Sequence, residues 1–202
     1  MIAIIDYGRG NLRSVQKGLQ KFNFEAVITD APAVMAKAKG LILPGVGAFG
    51  DAMHQLKQRN LIDAILGNIA DGKPFLGICL GMQVLFTRGE EHGQHQGLGI
   101  LPGTVVKFPP GLKIPHMGWN QLHLQSETPL LRGIAEGTAC YFVHSYYAAA
   151  EDPATVLASS DYGIDFAAVV GRDNVFGVQF HPEKSSSLGL QILQNFGGLV
   201  EL

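Results

Sequence analysis

The stretch P-F-L-G-I-C-L-G-M-Q-V-L-F, residues 74–86, decides how this chain reads. Residues 74–78 form a short apolar run of strand length, and residues 80–86 hold good helix formers. A buried strand is therefore expected to run into a helix, with Cys79 at the bend. Gly77 and Gly81 stand two residues before and after the cysteine, the spacing of a nucleophile elbow with sulfur in place of oxygen. The spacing has a steric cause: strand and helix nearly touch at such a turn, a Cβ at either glycine would collide, and the nucleophile is pushed outward. The N–H of Leu80 is then left free at a helix start, where it favours negative charge on the sulfur or on an attacked carbonyl oxygen. Taken alone, Cys79 also fits a small core hydrophobe.

The preceding chain alternates. Residues 1–5 and 24–29 read as strands, 12–22 and 32–39 as helices, and 41–43 as a third strand. This order predicts an α/β fold, a single-domain doubly wound, mostly parallel sheet with helices on both faces. Asn11 is placed as the N-cap of the first helix, and Asp51 as the cap of a helical region reaching Ala70. In such sheets ligands gather beyond the carboxyl ends of the strands, so residues 6–11, 44–50 and the Cys79 elbow are candidates for one rim. The loop P-G-V-G-A-F-G, residues 44–50, has Gly45 and Gly47 around Val46 and can present backbone N–H groups to a negative charge. Neither G-x-x-x-x-G-K-[ST] nor G-x-G-x-x-G occurs there, which lowers a phosphate-nest reading.

Residues 89–99, polar and glycine-rich, read as an exposed loop, and His92 and His95 in it lack the neighbours of a metal site. Further strands are expected at 104–107, 121–124, 139–143, 155–159, 166–170 and 175–180, and a closing helix at 185–202, giving a strand-rich second half. In V-F-G-V-Q-F-H-P-E, residues 175–183, the proline biases His181 to extended backbone, and positions two apart in extended chain point the same way. Glu183 would then hold the ring in the tautomer that leaves its other nitrogen facing Cys79. A nucleophile, a base and an orienting carboxylate are all present. A zinc reading of the H-x-E pair lacks P-C-x-x-C and a third ligand.

Composition narrows the classes. The 202 residues are enough for one domain with a substantial core, 47% are hydrophobic and 16% charged, and the net charge of −2 has no basic cluster behind it. Nucleic acid and anionic membranes are poor partners for such a surface; small molecules or another protein are better ones. The two cysteines, Cys79 and Cys140, form no C-x-x-C, and the N-terminus M-I-A-I-I-D-Y lacks a signal-peptide pattern. A soluble protein of the reducing cytoplasm is expected, with Cys140 an inert core thiol.

Three strings, P-G-V-G, G-I-C-L-G-M-Q and F-H-P-E, occur in the order and spacing of the class I, triad-type glutamine amidotransferases. With D-Y-G-R-G-N at residues 6–11, P-H-M-G-W-N at 115–120, Y-F-V-H-S-Y at 141–146 and H-P-E-K-S at 181–185, the chain resembles the branch of glutaminase subunits of imidazole glycerol phosphate synthases, over essentially its whole length. The resemblance implies the flavodoxin-like amidotransferase fold as one domain over residues 1–202. It implies Cys79, His181 and Glu183 as the triad, and Leu80, Val46 and Gly47 around an oxyanion. Gly47, Gln83 and the backbone at His144, Ser145 and Tyr146 would bind glutamine. No cofactor and no metal are implied.

The partner implied is a separate (β/α)8 cyclase subunit that receives ammonia through an internal channel, since the glutaminase parts leave no room for an acceptor module. Asn11, Pro115, His116, Met117, Trp119, Asn120 and Lys184 would face it. On residue type alone Trp119 fits a core position as well as an interface anchor. Amidotransferases feeding anthranilate, aminodeoxychorismate, GMP or pyridoxal phosphate synthesis share the triad, but P-H-M-G-W-N argues for the first branch.

Overall fold

A computed structural model describes residues 1–201. Its centre is an eight-stranded sheet. The strands are β1 (Ile2–Ile5), β2 (Ala26–Thr29), β3 (Gly40–Gly45), β4 (Phe75–Cys79), β9 (His123–Leu124), β12 (Val156–Asp161), β13 (Asp165–Arg172) and β14 (Val175–Val178), in the order β2-β1-β3-β4-β14-β13-β12-β9. The first five run parallel, and from β14 onward neighbours are antiparallel. Burial on both faces explains the unbroken apolar runs of the parallel strands. Ile2, Ile4 and Ile42 pack on one side with helices α1 (Leu12–Gln20) and α6 (Ser186–Glu201). Ala3, Ile5, Leu41 and Leu43 pack on the other, with α2 (Pro32–Lys37), α3 (Phe49–Gln58) and α4 (Ile62–Ala70).

Several expectations need correction. The helix expected over residues 80–86 stops after one turn, α5 (Leu80–Gln83), because Phe86–Gly89 forms strand β5 beside β7 (Leu101–Lys107). The glycine-rich loop at 89–99 contains a short strand, β6 (His95–Gln96), and His95 lies so close over Gly50 that a Cβ there would meet its ring at 2.7 Å. Two strands were not anticipated, β8 (His116–Gln121) and β11 (Tyr146–Ala150). β8 pairs only with β10 (Ala139–His144), and β11-β7-β5-β6 forms a further sheet, so the second half is not one continuous extension of the main sheet. Tertiary pairing, not local pattern, makes strands of H-M-G-W-N-Q.

Of the two predicted caps, Asn11 holds its position and Asp51 does not. The residue before α3 is Ala48, Asp51 sits inside the first turn, and the N–H of Phe49 is instead capped from a distance by Glu91 Oε2 at 2.8 Å. Asn11 precedes α1 but makes no capping bond. The closing helix ends at Glu201 within the described residues, and the predicted last position, Leu202, lies outside them. Among the described residues no helix is long and apolar enough to cross a membrane.

Candidate active site

The site lies beyond the carboxyl ends of β3, β4 and β14, where a doubly wound sheet gathers its ligands. Cys79 ends β4 with φ 55° and ψ −111°, a region that residues with a Cβ rarely enter. A Cβ on Gly77 would strike the carbonyl oxygen of Gly81, as the sequence reading required. A Cβ on Gly81 would strike the carbonyl oxygen of Leu43, so the wall of this corner is the neighbouring strand β3 rather than β4 alone. With only one helical turn behind it, the corner offers free N–H groups and little macrodipole.

At the end of β3 and in the loop after it, Gly45 and Gly47 play different parts from those expected. Gly45 is ordinary buried strand, and a Cβ there would lie 2.5 Å from the Tyr7 hydroxyl and 2.9 Å from the Gly81 nitrogen. Its role is close approach. Gly47 alone has a positive φ, 105°, with open space around it, and Val46 beside it is 41% exposed. Freedom to turn a peptide therefore belongs to the Val46–Gly47 link.

His181 follows β14 with extended backbone, φ −100° and ψ 98°. Its partner Glu183 sits in the 3-10 turn Pro182–Lys184, so a turn, rather than strand alternation, brings the carboxylate to the ring. His181 Nδ1 donates to Glu183 Oε1 at 3.0 Å, and Asn11 Nδ2 donates to the same oxygen at 3.3 Å. Asn11, expected at a partner surface, is thus drawn inward as a second orienter of the carboxylate. Since a carboxylate only accepts, Nδ1 always carries a proton and Nε2 is the position that can gain or lose one. Nε2 makes no hydrogen bond of standard geometry among the described residues. Burial by itself lowers the affinity of His181 for a second proton, but the nearby Cys79 thiol and the Glu183 carboxylate outweigh it and raise its pKa to about 9.

A cavity of about 330 Å³ joins these groups, lined by Val46, Gly47, Cys79, Leu80, Gln83, Glu91, Pro115, His144, Ser145, Tyr146 and His181 among others. Its size suits a small ligand. Wider depressions of about 740 Å³ along residues 124–134 and about 720 Å³ between α3 and β6 hold no nucleophile paired with a base. Gln83 is buried, its amide donating to the Tyr146 carbonyl at 2.9 Å and to Gln179 Oε1 at 3.0 Å. Gln179 in turn points its amide at Cys79 Sγ, 3.7 Å away.

Sequence reasoning missed Gln179 and Glu91. A polar residue inside the apolar run before His181 was an available signal for Gln179. Nothing local marked Glu91, which reaches the cavity only because its loop folds back over α3.

The residues expected at a partner surface divide. Alternation along β8 turns Met117 and Trp119 outward, 62% and 57% exposed, which settles Trp119 against a core position. Lys184 is exposed, while Pro115 is exposed at the mouth of the cavity. His116 is 4% exposed and buried among aromatic rings, so it does not belong to that surface, and Asn120 is half-buried with its amide bonded to the Asp161 carbonyl at 2.7 Å. Cys140 is a buried free thiol pushed up to about 12 by burial, as fits a core residue. Among the described residues no cluster of three metal-binding side chains occurs.

A family model described as glutamine amidotransferase class-I matches residues 3–198. The chain is 59% identical over 197 residues to imidazole glycerol phosphate synthase subunit HisH of Desulfitobacterium hafniense strain DSM 10664 / DCB-2, covering 98% of this chain and 93% of the relative. It is 55% identical over 206 residues to the protein of the same name from Syntrophotalea carbinolica, covering 98% and 100%. A crystal structure of a glutamine amidotransferase superposes with TM-score 0.79 at 19% identity, covering all of both chains, and the PurLQS structure from Thermotoga maritima with TM-score 0.76 at 20% identity, covering 96% of each. These two likenesses speak to the fold.

Proposed function

Since the chain belongs to the class-I glutamine amidotransferase family, we propose that it is the glutaminase subunit of an imidazole glycerol phosphate synthase, releasing ammonia from glutamine for histidine biosynthesis. One glutaminase domain spans the chain, and its work belongs to the cytoplasm, in keeping with two free thiols. The single observation that carries the chemistry is a thiol at a strained corner beside an imidazole whose far nitrogen is held by a carboxylate.

In this reading the thiol proton of Cys79 has already passed to His181 Nε2, which holds it below about pH 9, and the Cys79 sulfur attacks the side-chain amide carbon of glutamine. The oxyanion is met by the N–H of Leu80 and by an N–H of the Val46–Gly47 link. His181 returns the proton to the departing nitrogen, ammonia leaves, and water hydrolyses the glutamyl thioester to glutamate and free Cys79. Glutamine also carries an ammonium group. Glu91, a carboxylate in the cavity lining anchored by the Phe49 N–H, suits it, while Gln83 and the backbone at His144, Ser145 and Tyr146 hold the rest.

Glutamine turnover is expected to fall as pH rises through about 9, where His181 loses the proton that the leaving nitrogen needs. Glu183→Gln should move that limb to lower pH, because the carboxylate's hydrogen bond and charge both favour the imidazolium. The same linkage acts on stability: with a folded pKa above the unfolded value, the contribution of His181 is complete below about 6.5 and fades as pH climbs through about 9. A pH–rate profile with its alkaline limb unmoved by Glu183→Gln would remove Glu183 from its orienting role.

The ammonia acceptor is a (β/α)8 cyclase subunit in a heterodimer, docked on the outward side chains Met117 and Trp119 and on Lys184. Aromatic and methionine side chains are enriched at such surfaces. The free Val46–Gly47 link makes the oxyanion site dependent on that docking. The chain alone is expected to hydrolyse glutamine about a hundredfold or more slowly than with the cyclase and its phosphorylated ligand, the usual cost of one missing oxyanion donor. Equal rates with and without the cyclase would refute this gating.

A further inference from the structure

The side chains of two buried histidines, His116 and His144, take no part in the chemistry above. They sit opposite each other in the β8–β10 pairing, 4% and 6% exposed. Burial holds both neutral, His144 down to about 3 and His116 below its ordinary value. Their hydrogen bonds then allow only one arrangement of protons. The Tyr146 carbonyl can only accept, so His144 Nδ1, 2.8 Å from it, carries the proton. His144 Nε2 must accept, which makes His116 Nδ1, at 3.1 Å, the donor. His116 Nε2 accepts in turn from the Asn120 amide at 3.3 Å, whose other hydrogen goes to the Asp161 carbonyl. The His116 ring is stacked between Tyr162 and Phe142, with centroids 4.1 and 5.1 Å away.

The donations through the two rings run inward, from Asn120 of β8 to the Tyr146 carbonyl, and that oxygen also receives Gln83, whose amide bonds Gln179 beside Cys79. Between His144 and Tyr146 lies Ser145, where the chain passes from the β8–β10 pair to the separate sheet containing β11. We propose that His116 and His144 are a tautomer-locked positioning relay, by which the outward strand β8 fixes the Ser145–Tyr146 corner and the Gln83–Gln179 amide pair of the glutamine pocket. The proposal rests on the reading of that cavity as the glutamine site. Groups that hold substrate equally in ground and transition state act on KM more than on kcat. Bonds running in one direction also polarise one another, which favours a single rigid corner.

The test compares His116→Phe, which keeps a ring in the stack and loses the donor, with His116→Asn, which keeps an N–H near the Nδ1 position. Both full-length variants are assayed with the cyclase for glutamine hydrolysis and for labelling of Cys79 by a diazoketone analogue of glutamine. His116→Phe is expected to raise KM about tenfold or more, the scale of a buried acceptor left unpaired, with kcat within about threefold. His116→Asn should return KM to within about threefold of the native value.

Unchanged KM in His116→Phe, or equal impairment in both variants, overturns the relay. Native chain that is not labelled at all overturns instead the glutamine reading. Should the phenylalanine variant fail to fold, nitrogen-15 NMR of the native chain decides: His144 and His116 both protonated at Nδ1 through neutral pH support the relay, and His144 protonated at Nε2 refutes it.

Discussion

Replacing Cys79 by alanine is expected to lower glutamine turnover by the cyclase-bound chain about a million-fold, the scale on which loss of a nucleophile silences a coupled triad. Binding of the cyclase should survive, because the corner keeps its backbone. Cys79→Gly is expected to be just as inactive yet more stable than Cys79→Ala. At φ 55° and ψ −111° a side chain costs about 1–3 kcal/mol of strain that glycine does not feel. Glycine's greater freedom in the unfolded chain returns about 0.5–1 kcal/mol of that gain. The difference left is about 1 kcal/mol, or about 2–4 °C in melting temperature for a chain of this size. Residual thioester formation in Cys79→Ala, seen by trapping labelled glutamine on the protein, would exclude Cys79 as the nucleophile. A glycine variant that melts below the alanine variant would show that the corner is unstrained.

Gly81→Ala is expected to cost about 4 kcal/mol or more, placing it among the exceptional single substitutions. The added Cβ would fall on the carbonyl oxygen of Leu43, a backbone atom of a central strand with neighbours on both sides. No change of side-chain rotamer relieves such a contact. Against an ordinary stability of about 5–15 kcal/mol, the loss leaves a chain that melts about 10 °C lower or does not accumulate folded. Gly67→Ala is the control, since a Cβ there, in α4, meets nothing within 4 Å and is expected to be neutral or stabilising by about 1 kcal/mol. If Gly81→Ala melts within a few degrees of the native chain, the close approach of elbow to strand is wrong. Activity of that variant is informative only if it folds.

The corner at Cys79 and the pairing of His181 with Glu183 were legible in the sequence because each announces itself locally, the cysteine by flanking glycines and the histidine by the proline and acid that follow. Parallel strands were legible for the same kind of reason, as apolar runs of four to six residues punctuated by helices. Glu91 and Asn11 were not. Their roles are fixed by partners distant in the chain, the Phe49 N–H and the Glu183 carboxylate, and no periodicity encodes such a meeting. His116 was placed at the partner surface by the resemblance that P-H-M-G-W-N carries. Alternation along β8 reverses that assignment once β8 is known to be a strand, and only its pairing with β10 makes it one.

Amino-acid order thus determined the parallel half of the sheet, the elbow and the three residues of the proposed triad, since steric punctuation and apolar runs act over a few neighbouring residues. Only the tertiary structure decided which nitrogen of His181 the carboxylate holds, which glycine of the loop can turn, where Glu91 and Gln179 point, and how the two buried histidines share their protons. Those properties depend on hydrogen bonds and close contacts between segments far apart in the chain, and such contacts have no local signature.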